Sequence, residues 1–174
     1  MRMLRAAGAC MILTGCLGLG LWYREQLLGR IRALGLLRTI LELLGSEVRY
    51  GRETLPECCG RVAGRLPSPC REAFRQVADR MGQNTGERFG AVFRECVGEA
   101  LDSLPLKEED QEDFFRFVPG NGFTDGQMQL RMIEQSRVRI ETRADSLERG
   151  NVERCRMAVG LGALGGLLIL LVLC

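Results

Sequence analysis

The sequence predicts an all-α protein, a six-helix bundle flanked by N- and C-terminal transmembrane helices. Three observations predict it. An uncharged apolar run of 18 residues lies near each end of the 174-residue chain, at 6–23 and 157–174. Between these runs, apolar residues recur at spacings of three and four, the period of a helix with one buried face. Only five Pro occur, aromatics make up 6%, and the alternating pattern of a half-buried strand is absent.

The first run follows Arg2 and Arg5 and precedes Arg24. At 1.5 Å per residue each run spans about 27 Å, close to a hydrocarbon core of about 30 Å. Trp22 and Tyr23 sit at the inner end of the first run, where aromatic side chains favour the membrane interface. The chain therefore divides into a transmembrane helix with a short tail (1–23), a helical domain (24–156) and a second transmembrane helix (157–174). An alternative stays open for the first run. Leu13-Thr14-Gly15-Cys16 matches a bacterial lipobox, whose cleavage would leave an envelope lipoprotein lipidated at Cys16. The apolar stretch after Cys16 argues against it, because a lipoprotein tether is usually polar.

Arginine gives the orientation. Arg24, Arg30, Arg32 and Arg38 follow the first run, and Arg137, Arg139, Arg143, Arg149, Arg154 and Arg156 precede the second. Only Arg2 and Arg5 lie outside, so the positive-inside rule places the middle domain in the cytoplasm. Small residues four apart (Thr14 with Gly18, Cys16 with Gly20, Gly162 with Gly166) would let the two spans approach other helices closely.

Within the domain, Leu27, Ile31, Leu34, Leu37, Leu41, Leu44 and Val48 form a helical stripe continuous with the first span. Gly51 stops it. Thr54-Leu-Pro-Glu57 reads as a capping box for a second helix that buries Leu55, Cys59, Val62 and Leu66. Ser68-Pro69 opens a third helix with Pro at its first position and Phe74, Val77, Ala78 and Met81 inward. A fourth runs over about 86–101, with Phe89, Phe93, Cys96, Val97 and Ala100 inward. A fifth, 107–118, buries Phe114, Phe115 and Val118 behind an acidic first turn that suits the helix dipole. Thr124 to Gln127 forms another capping box, from which a polar helix runs into the second span. Its apolar stripe is Leu130, Ile133, Ile140, Ala144 and Leu147.

The chemistry expected of this chain is sparse. Residues 24–156 balance 22 basic against 22 acidic side chains, which argues against nucleic acid as a partner. There is no His, which removes Ser-His-Asp and Cys-His catalysis and every His-ligated metal. The eight Cys (10, 16, 58, 59, 70, 96, 155 and 174) form no C-x-x-C pair and read as small buried hydrophobes. Adjacent Cys58 and Cys59 could be redox-active or bind a soft metal, but nothing near them in sequence supports either. No phosphate-binding glycine loop occurs. Glu108, Glu109, Asp110, Glu112 and Asp113 read as a solvated first turn. The expectation is a protein that is not an enzyme and needs no cofactor or metal.

Three stretches carry a family resemblance. Leu43-Leu-Gly-Ser-Glu47-Val-Arg-Tyr50-Gly51-Arg-Glu-Thr54-Leu55 resembles the pattern L-x-x-E-I-x-Y-G-x-T-P-L. Gly122-Phe-Thr-Asp125 with Gln129 resembles L-G-x-x-D-x-x-x-Q, and the stretch from Arg156 through Gly160 and Gly162 resembles the K-M-x-x-x-L-G-x-L-x-G-L-L ending. The chain thus resembles the stage III sporulation protein AB family of endospore-forming bacteria over essentially its whole length. It departs in two places: the family's Pro is displaced to Pro56, and Asn121 replaces a Leu.

The resemblance implies a cytoplasmic bundle similar to the F-domain of type II secretion platform proteins. It implies a place in the mother-cell membrane facing the forespore, as a platform of a secretion-like channel complex. The partners implied are an ATPase resembling stage III sporulation protein AA, other membrane proteins of the same complex, and the bilayer. Glu47, Tyr50, Gly51, Asp125 and Gln129 become candidates for a structural or partner-contact cluster. The plainer alternative is that Gly51 and Asp125 only shape helix ends.

Overall fold

A computed structural model describes residues 2–50, 54–83, 86–118 and 126–173, with side chains described for 25–26, 28–50, 54–83, 86–118 and 126–150. These residues form six helices: α1 (Arg2–Tyr50), α2 (Leu55–Ala63), α3 (Cys70–Gly82), α4 (Phe89–Asp102), α5 (Glu108–Phe115) and α6 (Gly126–Leu173). The first and last are the long ones, each continuous from the bundle into its apolar run.

The leucine stripe fixes how α1 packs. Leu34, Leu37, Leu41 and Leu44 are fully buried, and Ile40 joins them. Ile31 and Val48, at the ends of the stripe, are only half-buried. α6 lies antiparallel along α1. Gly45 faces Ile133, Arg38 meets Glu141 at 3.1 Å, and near the other end Arg30 and Arg143 share Asp110. Ile133 and Ile140 are the buried anchors of α6, while Leu130, Ala144 and Leu147 are half-buried.

The shorter helices close the core. α2 packs on α1 and α3, α3 on α4, and α5 on α6 and α4. Glu57 accepts hydrogen bonds from the Thr54 amide at 2.8 Å and the Thr54 hydroxyl at 2.9 Å, fixing the start of α2. The core centres on Phe93 of α4. Its ring meets Phe74 and Phe117 edge-on, each at a centroid distance of 5.5 Å, and also contacts Phe89, Phe114 and Phe115. Phe93, Phe74, Phe114 and Phe117 are fully buried.

Several boundaries differ from the sequence reading. Pro69 is the N-cap of α3 and not its first helical residue, and the Ser68–Pro69 bond is cis. Gly86 has a φ of +75°, a left-handed backbone that cannot be part of a right-handed helix, and Arg88 is still extended as the N-cap, so α4 starts at Phe89. α5 ends at Phe115. Phe117 and Val118 are buried in the following turn, where the Val118 amide bonds the Phe115 carbonyl at 3.0 Å.

The expected cap residue Thr124 lies outside the described residues. So do the side chains of the two apolar runs, including Cys16, Gly18, Gly162 and Gly166. Among the described residues, no helix is long and apolar enough to cross a membrane.

Candidate functional site

Charged side chains of three helices meet where α5 approaches α1 and α6. Asp110 is 0% exposed. Its carboxylate accepts two hydrogen bonds from Arg30 of α1, Nε at 2.8 Å and Nη2 at 2.9 Å. It also accepts the backbone N–H of Lys107 at 3.0 Å, the cap of its own helix. Arg143 of α6 completes the group: its Nη1 lies 3.7 Å from Asp110, its Nε bonds Asp113 at 2.7 Å, and Nη1 bonds Glu109 at 2.9 Å. One turn of α5 thus holds α1 through one arginine and α6 through another.

Burial alone would push the Asp110 carboxyl up. The Arg30 hydrogen bonds, the Lys107 amide and the positive charges of Arg30 and Arg143 outweigh it and hold the carboxyl below the usual carboxylate range. This corrects the reading of 108–113 as a solvated turn. Asp110 and Asp113 face inward, while Glu108, Glu109 and Glu112 face solvent. The helical period put Asp110, Asp113 and Phe114 on one face, and the acid at the third position of α5 carried a cap signal. The partner arginine, 80 residues away, left no local trace.

The residues singled out from the sequence have separate surroundings. Glu47, half-buried on α1, ion-pairs with Arg61 at 3.5 Å and Arg65 at 3.8 Å. Tyr50, the last residue of α1, is 82% exposed. Gln129 is 4% exposed and donates its Nε2 to the Phe117 carbonyl at 2.9 Å, tying the start of α6 to the turn after α5. Gly51 and Asp125 lie outside the described residues.

Cys58, Cys59, Cys70 and Cys96 are buried thiols that form no disulfide with one another. Burial pushes the Cys59 thiol up, reinforced by neighbouring Cys58, which works against a reactive thiolate there. Among the described residues, no group of three or more acidic or sulfur side chains is placed to hold a metal ion.

Two comparisons with known proteins point the same way. A solved structure titled "Stage III sporulation protein AB (SpoIIIAB)" shares this fold with a TM-score of 0.62 at 22% identity, covering 72% of this chain and 98% of that one. No curated protein matches the chain significantly. The profile of the family described as stage III sporulation protein AB matches residues 5–174, and the chain belongs to that family.

Proposed function

We propose that this chain is a two-pass membrane platform of the sporulation stage III secretion-like complex between mother cell and forespore. On this reading, domain 24–156 lies on the cytoplasmic face of the mother-cell membrane and docks an ATPase resembling stage III sporulation protein AA. The spans are 6–23 and 157–174, where small residues such as Gly18, Gly162 and Gly166 would pack against other helices of the complex. The bundle acts like the F-domain of type II secretion platforms, as a structural part and not a catalyst.

The observation that carries the reading is the antiparallel pairing of α1 and α6. It brings Arg30 and Arg143 to one end of the bundle, beyond which both helices continue into their apolar runs. Two apolar helices leaving one end of a domain suit two spans with that domain on one side of the bilayer. The arginine excess next to both runs favours the cytoplasmic side. The exposed far end, with Tyr50, remains available to a cytoplasmic partner.

The test is recovery of the ATPase with the full-length chain from solubilised sporulating cells, alongside protease access to the domain in intact and inverted membranes. Co-recovery, with cleavage in inverted membranes only, is expected. Cleavage from outside together with fatty-acid labelling at Cys16 would establish the lipoprotein instead.

A further inference from the structure

The turn joining α4 to α5 reads Ser103-Leu104-Pro105-Leu106-Lys107. Its backbone is tight: the Leu104 amide bonds the Leu101 carbonyl at 3.0 Å and the Leu106 amide bonds the Leu104 carbonyl at 2.7 Å. Leu104 and Leu106 are half-buried against the core, while Pro105 and Lys107 are exposed. The turn presses on α1. A Cβ on Gly29 would come within 3.2 Å of Pro105 Cγ, so glycine permits this close approach.

That contact fixes the height of the turn. Gly29 follows Tyr23, the last residue of the apolar run, by six positions, or about 9 Å along α1. The polar layer on each side of a bilayer core of about 30 Å is roughly 5–8 Å deep. A turn beside Gly29 therefore stands just outside that layer, within side-chain reach of it.

We propose that the turn 103–107 rests against the lipid headgroups, as a third membrane contact beside the two spans. The inference depends on the two-pass reading above. Pro105 and the outward parts of Leu104 and Leu106 supply apolar surface, and Lys107 can extend its ammonium along the headgroups. Lys107 and Arg32 are opposed nearby by Glu25, Asp102 and Glu108, all exposed. The balance makes the contact one with headgroups in general and not with anionic lipid in particular.

Native Trp22, the only tryptophan, makes a direct test possible. The full chain is placed in phosphatidylcholine vesicles carrying a nitroxide on the headgroup, and tryptophan emission is read. The variants are W22F/P105W, W22F/K107W as a second placement, and W22F/Y50W at the far end of α1, about 30 Å farther from the membrane. Far-UV circular dichroism checks that each variant folds.

The P105W and K107W probes are expected to lose emission to about the extent expected of wild-type Trp22 at the interface, with Y50W unaffected. Adding phosphatidylglycerol should leave this pattern unchanged. Quenching of Trp22 with both turn probes as bright as Y50W would overturn the proposal and leave the two-pass reading standing. An unquenched Trp22 would overturn that reading, and this inference with it.

Discussion

Arg30 and Asp110 stand 80 residues apart in the chain and meet through two hydrogen bonds of 2.8 and 2.9 Å. The Asp110 side chain is wholly buried and that of Arg30 is 14% exposed. Asp110→Asn would leave Arg30 without its counter-charge and is expected to cost about 3 kcal/mol or more. Arg38→Gln removes exposed pairs with Glu42 of α1 and Glu141 of α6 and should cost much less, because solvent screens both. Urea melts of the full chain in detergent would measure both, and equal losses would contradict the hub.

The same site sets an acid limit. The folded Asp110 carboxyl titrates below its unfolded value of about 3.9. A depressed pKa contributes stability that is complete above the unfolded value and disappears as pH falls through the folded one. The urea midpoint should therefore hold from neutral pH to about 5 and drop below about 4. Asp110→Asn should fall less steeply over that range, and parallel curves for the two chains would refute the assignment.

Phe93 is the ring that the other core aromatics share. Truncation by Phe93→Ala is expected to destabilise by about 3–5 kcal/mol, with Phe93→Leu costing less. A thermal melt showing less than about 1 kcal/mol for the alanine variant would mean that the rings pack independently.

A redox role for Cys58 and Cys59 makes the opposite demand from their environment. Both are buried, and burial keeps the Cys59 thiol protonated at neutral pH. Iodoacetamide mapped by mass spectrometry should modify Cys59 only after denaturant is added. Fast labelling in the folded chain would reopen the redox reading.

Periodicity made α1 legible, because Leu34, Leu37, Leu41 and Leu44 face one side at a spacing no strand shares. The α2 cap was equally readable, since Thr54 and Glu57 interact within one turn. The start of α4 was not, because the sequence does not announce the sign of φ at Gly86. Nor was the burial of Asp110: a carboxylate in an acidic run looks solvated until an arginine from a distant helix is brought beside it. Of the residues selected as a cluster, Gln129 acts through a backbone carbonyl, a partner that any sequence offers.

An α-helix resists bending, and α1 is unbroken for 49 residues, about 74 Å. It has no interior joint in which a displacement could dissipate. A sideways push at the Tyr50 end must therefore swing the opposite end, with α6 carried along by the shared Asp110 hub. The long helix pair is in that sense a lever, and α5 is its yoke.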